Sequence, residues 1–136
     1  MSNSSTIISS SFTNFPTLLE ITLPNYNFPF KLEQDNYVLW ISQILPAVIG
    51  ANMKIFIDDI NTPAKTTVET AIIVNDKIET RVVPNPDFQK WRTLDQALLG
   101  WLLSSISKDI HTKVTKAFVS LKSSQLWNSL EKLFGS

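Results

Sequence analysis

The chain has 136 residues, 43% of them hydrophobic, which is enough for one ordinary domain with a core of its own. Twelve basic and twelve acidic residues give a formal net charge of zero, so the chain lacks the overall positive charge typical of nucleic-acid-binding domains. It contains no cysteine, and this excludes disulfides, thiol nucleophiles and zinc sites built on thiolates.

The N-terminal region predicts neither a secretion signal nor a membrane anchor. No Lys or Arg occurs before Lys31, and the apolar residues there are scattered among Ser, Thr, Asn and Pro. The longest apolar run, residues 97–103, is far shorter than the about 20 residues needed to span a membrane. We therefore expect a cytoplasmic protein with no membrane partner.

Two segments precede the helical part of the chain. Residues 1–14 consist mostly of Ser, Thr and Asn, a composition typical of a disordered tail. Residues 15–35 contain Pro16, Pro24 and Pro29 among bulky apolar residues, which favours an extended arm over a long helix.

A first helix is predicted over residues 36–50. Asp35 or Asn36 is placed to cap its start, Pro46 to kink or restart it, and Gly50 to end it. The apolar residues that recur at helical spacing on one face are Tyr37, Trp40, Ile41, Ile44, Leu45 and Val48.

Residues 64–84 have a different pattern. Alternating β-branched residues lie on both sides of the pair Asn75 and Asp76, which predicts a β-hairpin inserted between helices.

A long helix is predicted from Asn85, with Pro86 at its first position and Asp87 near the positive end of its dipole. A further helix is predicted after a cap at Ser107 or Asp109, with Ile110, Val114, Ala117 and Phe118 on one face. A last helix would begin at Ser123 or Ser124 and end at Gly135. The predicted fold is mainly α: a small bundle of about four helices with a β-hairpin insertion.

The sequence contains no arrangement of residues typical of an enzyme. The three glycines lie far apart and do not form a phosphate-binding loop, and His111 has no metal-ligand partners at a recognisable spacing. Asp58 and Asp59 are followed by Asn61 and Pro63, as in a solvated turn. We therefore predict no enzymatic activity, no cofactor, no metal and no small-molecule substrate.

Two groups of residues have more than one interpretation. The four tryptophans lie on leucine- and isoleucine-rich stripes, which favours core packing over stacking on bases. The lysines near the C-terminus are either a solvated face or a weak RNA contact; they are Lys108, Lys113, Lys116 and Lys122.

Three motifs occur in an informative order. Leu32, Asn36, Tyr37 and Trp40 form "L-x-x-x-N-Y-x-x-W"; Asn85, Pro86, Phe88, Trp91 and Asp95 form "N-P-x-(aromatic)-x-x-W-x-x-x-D"; and Ser123, Trp127 and Leu130 form "(small)-x-x-x-W-x-x-L". In this order the motifs resemble the N-terminal, capsid-like part of the Gag polyprotein of copia-type LTR retrotransposons, especially those of plants. The resemblance covers about residues 15–134.

The resemblance implies a capsid-like helical domain, residues 36–134, that takes part in self-association and particle assembly around the element's RNA. It also implies that this chain is a truncated Gag, the product of a partial gene prediction or a co-opted remnant, because the family continues into more helices and a Cys/His zinc knuckle. Other Gag copies are the implied partners, and weak RNA binding or a protein-interaction role in the host are the alternatives. The residues expected to form the motifs and core are Leu32, Asn36, Tyr37, Trp40, Asn85, Pro86, Phe88, Trp91, Asp95, Trp101, Trp127 and Leu130.

Overall fold

The computed structural model describes residues 28–60, 62–63, 65–116 and 121–135. The predicted tail of residues 1–14 and the predicted arm up to residue 27 lie outside this part of the chain. The predicted domain limits therefore stay a prediction.

Five α-helices occur in the described residues, together with one two-stranded sheet, and the predicted fold of helices with a hairpin insertion is confirmed. The described part of the chain has one helix more than the four expected, a single turn that follows the first helix. The helices are α1 Tyr37–Gly50, α2 Lys54–Ile57, α3 Pro86–Ser104, α4 Lys108–Thr115 and α5 Ser123–Phe134. None of the described helices is long and apolar enough to cross a membrane.

Helix α1 continues through Pro46, so of the two predicted outcomes, a kink or a restart, the structure excludes the restart. Proline removes one backbone N–H and leaves the carbonyl of Ser42 without its helical partner. Both residues are exposed, so water can reach that carbonyl and the helix is not interrupted. The helix ends at Gly50 as predicted, and the chain reverses at Asn52, whose φ is 60°.

The predicted cap of α4 is confirmed, and the predicted cap of α5 is wrong. Ser107 caps α4, because its hydroxyl accepts a hydrogen bond from the N–H of Ile110 at 3.4 Å. Neither Ser123 nor Ser124 caps α5; both are buried residues of its first turn, and Lys122 precedes them. A carboxylate from α3, described below, takes over the role of the cap.

Strands β1 Thr67–Val74 and β2 Lys77–Pro84 form the predicted antiparallel hairpin. The two turn residues, Asn75 and Asp76, have φ of 53° and 63°. Positive φ at both central residues defines a type I′ turn, whose twist matches that of the strands, and Asn and Asp tolerate this conformation. The turn pair seen in the sequence therefore fixes the register of the hairpin.

The described residues form two compact units, and the boundary between them falls within α3. One unit contains the hairpin and α3 as far as Thr93. The other contains residues 28–60 and the chain from Leu94 onward. The core of this second, helical unit consists of side chains with almost no exposed surface: Leu32, Trp40, Ile44, Val48, Met53, Phe56, Leu94, Leu98, Leu102, Ile110, Leu126 and Leu130.

Candidate functional site

Two residues of the first motif bind the end of α3 at Ser105. The backbone of Leu32 forms a parallel bridge with Ile106: its N–H donates to the carbonyl of Ser105 at 2.9 Å, and its carbonyl accepts from the N–H of Ser107 at 3.0 Å. The indole N–H of Trp40 donates to the carbonyl and the hydroxyl oxygen of Ser105, at 3.1 and 3.0 Å. We call this arrangement of Leu32, Trp40 and Ser105 the clasp. All three residues have no exposed surface.

Burial makes the clasp important for stability. If Ser105 were separated from them, the buried indole N–H of Trp40 and the buried N–H of Leu32 would each lack an acceptor, and an unsatisfied buried polar group costs about 1–3 kcal/mol. The hydroxyl of Ser105 in turn donates to the carbonyl of Leu102 at 2.6 Å, which fixes its lone pairs toward Trp40. The clasp therefore holds the segment before α1, and α1 itself, against the end of α3.

The asparagines of the first two motifs each tie the start of a helix to the preceding loop. The side chain of Asn36 accepts from the N–H of Glu33 at 2.7 Å and donates to the carbonyl of Lys31 at 2.9 Å. It precedes α1 without capping it through its side chain. Asn36 thus fixes the loop on both sides of Leu32 and so positions that residue.

Asn85 both caps α3 and closes the base of the hairpin. Its side-chain oxygen accepts from the N–H of Asp87 at 3.0 Å, as the sequence predicts for a cap. Its side-chain amide donates to the carbonyl of Lys65 at 2.9 Å, and its own N–H donates to the carbonyl of Thr66 at 2.9 Å. One side chain therefore starts the helix and holds both ends of the insertion together.

Asp95, the last residue of the second motif, supplies the cap that α5 lacks. Its carboxylate accepts from the N–H of Ser123 at 3.2 and 3.4 Å, and the hydroxyl of Ser123 donates back to its carbonyl at 2.8 Å. Asp95 has only 1% of its surface exposed. Burial raises the pKa of the Asp95 carboxyl, although the hydrogen bonds from Ser123 and Gln96 and the charge of Lys122 oppose that shift.

The aromatic residues of the first and third motifs lie together in the helical unit. The ring of Trp40 is 5.7 Å from that of Trp127 and 6.0 Å from that of Tyr37, and Tyr37 also stacks on Phe134 at 5.9 Å. Partial burial raises the pKa of Tyr37, and the negative charge of Glu131 adds to this shift. Gly135 allows this packing, since a Cβ there would lie 3.3 Å from the ring of Tyr37 and 2.8 Å from the carbonyl oxygen of Glu131.

The motif residues therefore lie mostly inside the protein. Trp40, Trp91 and Trp127 are buried, and Trp101 is half-buried with its ring 5.2 Å from Phe28. Phe88 is half-buried, 5.8 Å from the ring of Trp91. These positions leave the four indole rings poorly placed for stacking on bases.

The structure separates Lys122 from the other three lysines. Lys108, Lys113 and Lys116 are exposed on or next to α4, within an arc of about 140° at 3.6 residues per turn. Lys122 is half-buried, and its ammonium lies 3.7 Å from the carboxylate of Asp59. Only the first three form one surface.

An open groove of about 650 Å³ runs along the outside of α1, α2 and α5. Tyr37, Val38, Ile41 and Leu45 of α1 form much of its apolar lining. Val38 is 80% exposed and the next residue in α1, Leu39, is 60% exposed, large fractions for apolar side chains. The charged residues at the groove are Lys54, Asp58, Glu131 and Lys132, and Lys54 binds Asp58 at 2.6 Å.

No cluster of three or more His, Cys, Asp or Glu residues suited to a metal ion occurs in the described part of the chain. Asp58 and Asp59, the adjacent carboxylates of the predicted solvated turn, contact Lys54 and Lys122 respectively.

Sequence reasoning did not single out Ser105 or Gln96, yet both join helices. The amide of Gln96 donates to the carbonyl of Leu121 at 3.1 Å, beside the contact between Asp95 and Ser123. Ser105 continues the apolar stripe of α3, four residues after Trp101 and three after Leu102. The available signal was its polarity at a position whose helical spacing predicts burial.

A double-mutant cycle at the clasp tests the hydrogen bond from Trp40 to Ser105. We expect Trp40→Phe to lower the free energy of unfolding by about 2–4 kcal/mol, because it removes both volume and the indole donor. We expect Ser105→Ala to lower it by about 1 kcal/mol. The coupling energy between the two changes, measured by urea denaturation, should be about 0.5–1.5 kcal/mol, and strict additivity would contradict the hydrogen bond between the indole and the Ser105 hydroxyl.

Substitution of Asp95 tests the cap on α5. Asp95→Ala should lower the free energy of unfolding by about 1–3 kcal/mol, because the buried N–H of Ser123 loses its acceptor. Asp95→Asn keeps an oxygen acceptor and should cost less. The comparison needs a control at an exposed carboxylate, for which Asp35→Ala serves.

The pH dependence of the same variants has a defined sign. Because the folded state raises the pKa of Asp95, it binds this proton more tightly than the unfolded chain does. The resulting stabilisation is complete below the unfolded pKa and is lost as pH rises through the folded pKa. Relative to Asp95→Asn, the wild type should therefore lose stability over that window, whereas a constant difference would be the contrary result.

Comparison with known proteins finds two related polyproteins from Arabidopsis thaliana. The chain is 27% identical over 123 residues to the "Retrovirus-related Pol polyprotein from transposon RE1", and 27% identical over 119 residues to that from transposon RE2. The matches cover 90% and 88% of this chain. The chain spans about 7% of the length of each of these curated relatives.

No family model matches the chain, and no solved structure matches it. The two polyproteins nevertheless align with about nine-tenths of it. The chain is therefore a retrotransposon-related region.

Proposed function

We propose that this chain is a Gag-like structural domain that associates with copies of itself and contributes to particle assembly. The observation that carries the proposal is the apolar outer surface of α1, where Val38, which lines the groove, is 80% exposed and the next residue, Leu39, is 60% exposed. We call Val38, Leu39 and the groove the α1 surface. The relation to retrotransposon polyproteins supports the same proposal.

The α1 surface has more apolar residues than the fold of the helical unit requires. Trp40, Ile44 and Val48 form the buried side of the helix. Val38 and Ile49 lie about 20° apart on another side, where 80% and 52% of their surfaces are exposed. An apolar stripe that faces water is the usual mark of a protein–protein interface.

The charges near the groove favour contact between identical chains. A two-fold interface brings each patch against a copy of itself, so a patch with a large net charge would repel its partner. Here Lys54 is balanced by Asp58, and Lys132 by Glu131. The patch is close to neutral, and its central part is apolar.

Charge introduced at the α1 surface should abolish this association. We expect Val38→Glu with Leu39→Glu to weaken self-association at least about tenfold, because burying unpaired carboxylates in an apolar interface is costly. Both positions are exposed and begin a helix, where acidic residues are tolerated, so folding should be unchanged. Sedimentation velocity over a range of concentrations measures the effect.

Ala97→Glu with Gly100→Glu is a matched control, since it adds two carboxylates at exposed positions of α3, and a Cβ at Gly100 meets no described atom within 4 Å. It should leave the sedimentation of the protein unchanged. A wild-type chain that stays monomeric at high concentration, or a double variant that still associates fully, would contradict the proposal.

A second candidate function is weak RNA binding through α4. Lys108, Lys113 and Lys116 are exposed within one arc of that helix, and three adjacent cations are a plausible contact for phosphates. Asp109 lies among them and weakens the local field. Binding of this kind would be electrostatic and without sequence specificity.

Neutralising two of these lysines tests the RNA contact. At low salt, Lys113→Gln with Lys116→Gln should weaken binding to a single-stranded RNA and lower the salt dependence of log K by roughly 0.7 per lost phosphate contact. Fluorescence anisotropy measures both quantities. Lys77→Gln with Lys90→Gln removes the same charge from exposed sites elsewhere, so an equal loss in this control would refute a site on α4.

A further inference from the structure

Strand β2 has an open outer edge. Within the described residues the sheet has only two strands, so β2 pairs with β1 on one side and with no strand on the other. All of its residues are exposed except Val83, which is half-buried. An isolated two-stranded hairpin is marginally stable, and an additional strand would stabilise it.

The turn identifies which backbone groups point outward along this edge. In a type I′ turn the carbonyl of Val74 accepts from the N–H of Lys77, so these two residues form a hydrogen-bonded pair. Hydrogen-bonded and non-hydrogen-bonded pairs alternate along an antiparallel ladder. The N–H and carbonyl groups of Ile78, Thr80 and Val82 therefore point away from β1, and no hydrogen bond from another described residue reaches them.

We propose that β2 pairs with β2 of a second copy of this chain, antiparallel and centred on Thr80, to form a four-stranded sheet. In this register Thr80 lies opposite Thr80 of the second copy, and Ile78 lies opposite its Val82. On the other face Glu79 lies opposite Arg81 of the second copy, and two-fold symmetry repeats that pair. Opposite charges, paired threonines and paired apolar residues are the cross-strand combinations that stabilise sheets.

The charges of β2 also select this register. Sliding one strand by two residues, the smallest shift that keeps the hydrogen bonds, places Glu79 opposite Glu79 or Arg81 opposite Arg81. Like charges directly opposite each other are destabilising. The alternation of Lys77, Glu79 and Arg81 is thus complementary to itself in the Thr80-centred register and repulsive in its neighbours.

The outer edge of β1 does not offer the same complementarity. Its only charged residue is Glu69, which has no cation on its own strand to oppose it in a second copy. Its alternate residues, among them Val68 and Ile72, are also half-buried, whereas both faces of β2 are accessible over residues 77–82. A copy of β2 is therefore the partner that fits the edge of β2.

Charge reversal with rescue tests the pairing. Glu79→Arg gives each strand two arginines, and Arg81→Glu gives each strand two glutamates, so each variant alone should repel itself. The cross-strand neighbours within the hairpin, Ile72 and Thr70, are uncharged, so neither change should disturb the hairpin itself. We expect each single variant to weaken association through β2 at least about tenfold in sedimentation velocity.

Two combinations of the charge reversals should restore the contact. An equimolar mixture of the two single variants pairs arginines with glutamates across the interface, and the double variant Glu79→Arg with Arg81→Glu restores opposite charges within one chain. Recovery in both cases supports the register. Single variants with wild-type association, or loss without recovery in the mixture, overturn the proposal.

Removal of a backbone donor provides a second measurement. Thr80→Pro deletes an N–H that points away from β1, so it leaves the ladder of the hairpin intact but blocks pairing at its centre. Thr80→Val keeps the N–H and the β-branched shape. We expect association through β2 to be lost with proline and kept with valine, and equal association of the two variants overturns the proposal.

The β2 contact rests on the proposed function only in that both require association with a second copy of the chain. The two contacts are otherwise separate, because β2 and the α1 surface belong to different compact units. Both sets of changes are therefore compared alone and combined. If the changes at Val38 and Leu39 have no effect but charge reversal and rescue are observed, the α1 surface is wrong and the β2 contact stands. If only the changes on α1 weaken association, the β2 contact is wrong.

Discussion

The helical unit depends on the hydrogen bonds that converge on Ser105. Ser105 accepts hydrogen bonds from the backbone N–H of Leu32 and from the indole N–H of Trp40. It lies just beyond α3 and has no exposed surface. Every polar group involved is shielded from water, so the bonds have no aqueous substitute and their loss would leave unsatisfied groups inside the core. The segment before α1, α1 itself and α3 are thereby held in one arrangement.

Asp95 makes the corresponding connection to α5. Its carboxylate lies ten residues before Ser105 on the chain and caps the first turn of α5 through the N–H of Ser123. A helix N-terminus carries partial positive charge and unsatisfied N–H groups, which explains why a buried carboxylate is tolerated there despite its raised pKa. The part of α3 from Leu94 to Ser104 thus acts as the central structural helix, since both connections start from it or from the residue that follows it.

This internal use of the motif residues has a consequence for function. Their roles in the structure are capping, packing and hydrogen bonding between elements, and those roles require burial. The most exposed candidates for contact with other molecules therefore lie outside the motifs, such as Val38 and Leu39 on α1 or the edge of β2. The first surface is apolar and the second depends on backbone groups and alternating charge, so the two can be tested independently.

The sequence by itself determined the elements whose causes are local. Helical spacing predicted α1, α3 and α5; Asn85 with Pro86 predicted the start of α3; and Asn75 with Asp76 predicted the turn of the hairpin, because each signal depends on a few adjacent residues. Tertiary structure alone decided that Asp95 rather than a serine caps α5, that Ser105 is the acceptor for Trp40, and that Lys122 faces Asp59 instead of joining the other lysines. These contacts join residues 28, 65 and 63 positions apart, and no local periodicity records which distant partner a buried polar group will meet.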